Sequence, residues 1–406
     1  MYLSFAWRYF KAKKSANAIN IIAWVTTGVI AFATCCQVLV LSVFNGFEDL
    51  VKSLYSSFYT DLKIVPSSGK TFILTSDQIA NIGKQPFVQG VSMIVQEKAL
   101  LQNGEVQTIV NLKGVDSNYA KVGGVAAKVT NGDFNTGDAN HAGLVVGYGL
   151  QNAAAITVSA AFAPEQLTII LPKKNNVGSD PTASVSEGNA VAFGVFTIQQ
   201  DFDNSYALTN IDFIKQQMGL TINEFTAAEI KLKYSEDIED SREALQKLMG
   251  TKFTVQTRYQ QNMSLYNTMR LEKWAIYAVL TLILVIAAFN MVSALTMLVL
   301  EKKKDISIIQ SMGGNRALIQ KIFISEGLLL GLIGATTGIV LAVIICILQL
   351  KFKLIKLQGG SFLIDYFPVK LVATDLLLVA GTATAIALLA SVVPAFKAAR
   401  QPIELR

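Results

Sequence analysis

Apolar positions run almost unbroken over 21–44, 274–300, 322–350 and 372–396, whereas the rest of the chain alternates apolar with polar residues. Each run exceeds the ~20 residues that a helix rising ~1.5 Å per residue needs to cross ~30 Å of hydrocarbon, and none has a charge at its middle. The first run does not stop at its apolar limit. Phe47, Leu50, Val51, Leu54, Tyr55 and Phe58 recur at helical spacing, with Glu48, Asp49, Lys52, Ser53 and Ser56 on the other face. This pattern predicts an amphipathic stalk reaching about residue 60. Leu265, Met269 and Leu271 lead into Trp274 and predict a matching stalk on the return. Two such helices either border a lipid-facing cleft or pack on their own domain.

Between the stalks the period changes to short β runs. Strands are predicted at 61–65, 90–101, 107–114, 143–146, 166–171, 190–198 and 229–234, and helices at 76–82, 148–155, 211–218 and 235–249. Asn103-Gly104 reads as a hairpin turn. An α+β domain in two lobes is expected, with an exposed Gly/Ser/Asn-rich loop over 172–188.

Composition agrees with a membrane protein. The 406 residues are 52% hydrophobic and 16% charged, with mean hydropathy +0.43, against about 25% charge in soluble domains. A net charge of +6 is compatible with a nucleic-acid partner, but its placement argues otherwise. Arg8, Lys11, Lys13 and Lys14 precede the first run, Lys302, Lys303, Lys304, Arg316 and Lys321 follow the second, and Lys397, Arg400 and Arg406 follow the fourth. By the positive-inside rule both termini and the 301–317 loop are cytoplasmic. Lys351, Lys353, Lys356 and Lys370 stand on the opposite side and oppose the rule there; the twelve basic residues inside outweigh these four. An Ala31-Phe32-Ala33 cleavage-like site lies inside an apolar run too long for a signal peptide, so an uncleaved anchor is expected. Cys35, Cys36 and Cys346 all fall in predicted spans, which gives the exported domain no disulfide framework.

The expected architecture is therefore an α-helical membrane protein with four transmembrane helices and a large α+β periplasmic domain inserted between the first and second spans. A cytoplasmic basic arm covers 1–19, the first span 20–46 and the periplasmic domain with its stalks 47–272. The second span covers 273–300, a cytoplasmic coupling loop 301–317, the third span 318–350, a periplasmic loop 351–371, the fourth span 372–396 and a cytoplasmic tail 397–406.

Catalytic chemistry is missing from the pattern. The single histidine, His141, sits in a polar loop, which argues against a His-based metal site or a Ser-His-Asp triad. Gly69-Lys70-Thr71 lacks the upstream glycine of a P-loop, since Ile64 occupies that position. No enzyme activity is expected, and no catalytic, cofactor-binding or metal-binding residue is assigned. Of the intramembrane polar residues, Asn290 reads as helix–helix glue beside Gln37, and Glu326 as solvated near the interface.

The segment from Glu301 to Arg316 carries the most local information. Asp305 suits the first turn of a short helix, Ile306, Ile309 and Met312 form its apolar stripe, Gly313-Gly314 ends it, and Asn315 caps the next helix. Exposed isoleucines on such a helix suit a partner's groove.

With Leu298-Val299-Leu300-Glu301-Lys302 before it, this segment resembles the coupling segment of permeases in the FtsX/MacB-type superfamily. Ser42-Val43-Phe44-Asn45-Gly46-Phe47-Glu48, Ala287-Ala288-Phe289-Asn290-Met291-Val292 and Val393-Pro394-Ala395 resemble its lipoprotein-releasing (Lol-type) branch. The resemblance implies a permease subunit of an ABC transporter in the bacterial inner membrane. It would extract lipoproteins from the outer leaflet and hand them to a periplasmic lipoprotein chaperone. Its partners would be an ABC ATPase subunit dimer, which carries the ATP and Mg, and a second permease copy or paralogue. ATPase coupling would then fall to Glu301, Lys302, Asp305, Ile306, Ile309, Met312 and Gly313. A substrate cavity would involve Val43, Phe44, Phe47, Leu265 and Met269, and a chaperone hook Pro172, Lys173, Asn175, Gly178 and Pro181. The alternatives are a MacB-type efflux permease, usually fused to its ATPase, and an FtsX-type scaffold regulating cell-wall hydrolases, whose exported domain is much smaller.

Overall fold

The computed structural model describes residues 17–158, 165–174, 184–234, 237–357 and 366–401. The chain forms two compact units, Val51–Tyr266 and Met1–Leu50 with Asn267–Arg406. The first helix, α1 (Asn17–Phe58), ends within two residues of the expected stalk limit.

The Val51–Tyr266 unit continues with β1 (Leu62–Pro66), β2 (Phe72–Ile73), α2 (Ser76–Gly83), β3 (Val88–Asn103), β4 (Val106–Val115) and α3 (Tyr119–Val122). Then come β5 (Val129–Gly132), β6 (Ala142–Gly147), α4 (Tyr148–Ala153), β7 (Gln166–Pro172), β8 (Val185–Phe196), α5 (Gln200–Asp203) and β9 (Tyr206–Asn210). It closes with α6 (Ile211–Met218), β10 (Glu224–Phe225), β11 (Ala227–Leu232), α7 (Ile238–Met249), β12 (Phe253–Thr257) and α8 (Arg258–Gln261). The two expected lobes merge into one ten-stranded sheet in the order β12-β1-β11-β3-β4-β9-β6-β8-β5, with β7 bridging β3 and β8. That bridge closes a circuit, β3-β4-β9-β6-β8-β7 and back to β3, so each of these six strands has a neighbour on both sides, while β12 and β5 remain edge strands. Leu101, Leu112, Leu144, Ile169, Ala192 and Ala207 from these six strands share its apolar core. The sheet is mainly antiparallel, with parallel pairs at β4·β9 and β6·β8.

Local chemistry explains several boundaries. Thr75 and Gln78 form a capping box on α2, and Asn210 caps α6, which stops at Gly219 in the left-handed region (φ +69°). The β3–β4 hairpin is shifted by one residue from expectation. Asn103 pairs with Val106 as a strand residue, and Gly104 takes the first central turn position at φ +58°. The Asn103 amide is thereby released to donate to the carbonyls of Ala154 and Ala155.

The second unit adds α9 (Met263–Glu301), α10 (Lys303–Ser311), α11 (Arg316–Phe352) and α12 (Ala373–Ala399) to α1. Four helices are long and apolar enough to cross a membrane: Ile21–Phe58, Met263–Glu301, Arg316–Phe352 and Ala373–Ala399. Glycines on α11 set their spacing. A Cβ on Gly331 would lie 2.2 Å from the Ala387 Cβ of α12, and one on Gly338 would lie 2.3 Å from the Ala31 carbonyl of α1. Small residues thus let three backbones approach closely where no hydrophobic effect drives association.

The polar residues of the helices are distributed differently from expectation. Gln37 is fully buried and donates to Thr281 Oγ1 at 3.2 Å, so it joins α1 to α9. Asn290 is exposed on α9 and does not glue these helices, because the face it shares with Phe289 and Ile286 points outward. Glu326 is buried rather than solvated, since α11 presents it inward beside Gly327, and its Oε2 has no hydrogen-bond partner among the described residues.

Candidate functional site

The helical unit carries two sites of interest. At the first, Asn45 of α1 sits between charges from two other helices. Its Nδ2 donates to Asp375 Oδ2 of α12 at 2.7 Å, and its Oδ1 accepts from Lys273 Nζ of α9 at 2.9 Å. Lys273 and Asp375 are themselves 2.9 Å apart. Each charge of this partly buried triad is paired and hydrogen-bonded, the condition under which burial is tolerated.

The chain entering α12 crosses α1 beside this triad. Lys370 N donates to Ser42 O at 2.9 Å, the Lys370 ammonium pairs with Asp49, and Phe367 meets Phe47 edge-on at 5.8 Å. Gln349 holds the crossing segment from α11, donating to the carbonyls of Ile355 and Phe367 and accepting from Ile355 N. The basic residues that opposed the positive-inside pattern are partly accounted for, because Lys370 is paired and Lys353 lies 4.2 Å from the Tyr366 ring centroid. Gly46 makes the crossing possible: an added Cβ would lie 2.4 Å from the carbonyl carbon and oxygen of Pro368. Gly46→Ala is therefore expected to displace the segment at a cost of about 1–3 kcal/mol. Deuterium exchange over 366–371 should accelerate; unchanged exchange would refute the close approach.

Of the expected cavity residues, Val43, Phe44, Phe47 and Met269 are half-buried in this unit. Leu265 belongs to the other unit and packs against its second apolar cluster. An apolar cleft of about 270 Å³ lies between α9 and α12, lined by Ala288, Phe289, Val292, Ile386, Leu389 and Val393. Periodicity gave no sign of it, because each of these residues reads as ordinary span.

The second site is α10, where the structure divides the expected stripe. Ile306 is buried with Val299, Ile319, Phe323, Ala395 and Ala398, and Ile309 packs against the same cluster. Ile306 and the half-buried Ile309 thus hold α10 on its own helices. The outward apolar surface is Ile308, 57% exposed, and Met312, 82% exposed, with Lys304 one turn before Ile308. Other expectations hold in detail. Asp305 lies in the first turn, Gly313 follows the helix at φ +89°, and Asn315 Oδ1 accepts from Leu318 N at 2.8 Å to cap α11. Glu301 and Lys302 precede α10, and Lys302 is 3.4 Å from Asp305.

In the Val51–Tyr266 unit, β7 ends at Pro172, and Lys173 N just beyond it donates to Ser184 O at 2.8 Å, so the expected hook loop joins β7 to β8. Asn175, Gly178 and Pro181 lie outside the described residues. Lys174 is anchored to buried Glu224, which Thr71 also contacts; burial would raise that carboxyl, but these hydrogen bonds hold it below its usual range.

The same unit seats the end of α1. The Tyr55 hydroxyl donates to Asp201 at 2.7 Å, and Phe58 stacks on Phe202 at 4.3 Å, so this part of the stalk packs on its own domain. Beneath it lies an ion pair that sequence reading missed. Lys113 of β4 and Glu229 of β11, both almost fully buried, are 2.8 Å apart, and Lys113 also donates to the Tyr119 hydroxyl at 3.1 Å and faces the Phe58 ring at 4.7 Å. Burial would depress the lysine, but Glu229 and Tyr119 outweigh it and hold Lys113 above its ordinary range, while burial pushes Tyr119 up to about 12. Among the described residues no group of three or more His, Cys, Asp or Glu could hold a metal.

Four helices long and apolar enough to cross a membrane, with a mixed sheet domain between the first two, define a multi-pass membrane protein. The chain belongs to the family of the MacB-like periplasmic core domain, which matches residues 23–248, and its last third matches the FtsX-like permease C-terminal region over 277–403. It is 28% identical to the lipoprotein-releasing system transmembrane protein LolE of Haemophilus influenzae, covering 98% of this chain and 97% of that one. With lipoprotein-releasing system transmembrane protein LolC of Neisseria meningitidis serogroup B it shares 26% identity over 98% of this chain and 96% of that one. Among solved structures, the periplasmic region of MacB from Actinobacillus actinomycetemcomitans aligns with 54% of this chain and 98% of its own, at 14% identity and TM-score 0.36.

Proposed function

We propose that this chain is the permease subunit of an ABC transporter that extracts lipoproteins from the outer leaflet of the inner membrane and passes them to a periplasmic chaperone. The observation that carries this reading is the near-full-length similarity to LolE and LolC, which spans the sheet domain and all four apolar helices alike. Both termini and the 301–317 loop would be cytoplasmic, and the Val51–Tyr266 unit periplasmic. A separate ATPase dimer would bind ATP and Mg and dock on α10, a second permease copy or paralogue would complete the transporter, and the 172–181 loop would meet the chaperone. Acyl chains would enter beside Val43, Phe44, Phe47 and Met269.

The energetics demand such a machine. Withdrawing acyl chains from a bilayer costs about 0.8 kcal/mol per CH₂, tens of kcal/mol for a multiply acylated protein. Spontaneous release is negligible, so both an ATP-driven step and an apolar acceptor are required. A photo-crosslinking residue at position 47 in native membranes is expected to capture acylated lipoprotein, and to lose it when ATP and a carrier chaperone are supplied. Capture of a cell-wall hydrolase or its adaptor instead would favour the scaffold reading, and capture of a soluble efflux substrate the MacB-type one.

A further inference from the structure

β3 serves two neighbours along one edge, and they do not meet. β11 accompanies it from Val88 to Ile94, and β7 only from Leu100 to Gln102. The stretch between them lacks a strand partner on that side, and its amide donors are taken by side chains. Gln96 N donates to Thr226 Oγ1 at 2.9 Å, and Lys98 N to Glu97 Oε1 at 3.2 Å. A cleft of about 340 Å³ opens at this gap, lined by Lys63, Lys70, Gln96, Lys98, Asn111 and Thr226 among others.

The lining is cationic and under-used. Lys70 is 3.4 Å from Glu97, which leaves the positive charges of Lys63 and Lys98 unbalanced. Neither ammonium, nor the side-chain amide of Gln96 or Asn111, has a hydrogen bond or ion pair among the described residues. Lys63 lies opposite Glu229 on the neighbouring strand, but that carboxylate is already committed to Lys113. Burial, opposed by Glu229 and reinforced by Lys113, keeps the half-buried Lys63 below the ordinary lysine range. Of Gly69-Lys70-Thr71 only Lys70 lines the cleft, and the segment is not a P-loop, because β2 rather than a helix N-terminus follows it.

We propose that this cleft is an anion site for a phosphate ester, with Lys63 and Lys98 supplying charge and the Gln96 and Asn111 amides supplying directed donors. Its volume is at the lower end for small-molecule pockets, enough for a phosphate and a modest organic group. Lysines act as mobile point charges on such a ligand, and the amides fix its orientation. The site does not depend on the transport reading.

The test is amine labelling of the full chain in nanodiscs, with rates followed lysine by lysine by mass spectrometry. In one arm inorganic phosphate is titrated at constant ionic strength in zwitterionic discs; in the other, discs contain phosphatidylglycerol and no free phosphate. Labelling of Lys63 and Lys98 is expected to slow in at least one arm, about tenfold at phosphate ten times its Kd, while exposed Lys84 and Lys121 keep their rates. Slowing in the first arm identifies a soluble phosphate ligand, and slowing in the second a lipid headgroup. Lys98→Gln, at an exposed position, should weaken the protection of Lys63. Unchanged rates in both arms, equal slowing at all four lysines, or the same protection from chloride would overturn the site.

Discussion

Replacing Lys113 by methionine is expected to destabilise the Val51–Tyr266 unit by about 3–5 kcal/mol, the cost of leaving a buried partner charge uncompensated. The substitution removes three interactions together: the ion pair to Glu229, the hydrogen bond to Tyr119 and the cation over Phe58. It strands a carboxylate and a hydroxyl that water cannot reach. Amides of β4 and β11 that exchange only through opening of the unit should then exchange roughly 10²–10⁴-fold faster in the full chain. Adding Glu229→Leu and Tyr119→Phe removes both stranded groups and should recover most of the loss, because a buried ion pair is often no better than apolar packing of similar volume. A single variant with unchanged exchange, or a triple variant as unstable as the single, would contradict the paired geometry.

Which features could be read from the chain depended on how local their causes were. The four long helices and the strands of the β3–β4 hairpin were legible, since apolar length and alternation are local signals. β9 was not: it is five residues long and its place between β4 and β6 comes from non-adjacent pairing. β12 is likewise short and is added to β1 from nearly two hundred residues away. The Asn45–Lys273–Asp375 triad joins residues 228 and 330 apart from Asn45, so neither spacing nor composition could assemble it. Asn45 appeared in the sequence only as part of a family-like motif, and Lys273 only as the first residue of the second span. The same limit applies to α10. Its stripe was legible, but its direction was not: period 3.6 identifies a face, whereas tertiary packing decides whether Ile306 faces a partner or its own helices.

That direction fixes the second large expected effect. Ile308→Asp combined with Met312→Asp should abolish stimulation of the partner ATPase in the reconstituted complex while leaving this chain folded. Both side chains are exposed, so charging them costs the isolated protein within about 0.5 kcal/mol. At a docking surface the same change desolvates carboxylates against an apolar groove, and loss of an anchor of this kind costs at least about 2 kcal/mol, roughly thirtyfold in affinity. Ile306→Asp and Ile309→Asp provide the contrast. They place a charge in the cluster with Val299 and Phe323, so they should loosen α10 from α11 and α12 and lower thermal stability as well as coupling. Full ATPase stimulation in the Ile308/Met312 double variant would remove α10 as the docking element, whatever the buried variants do. Loss of coupling in that double variant, with unchanged stability and binding recovered by Ile308→Leu and Met312→Leu, would place the contact on this outward face.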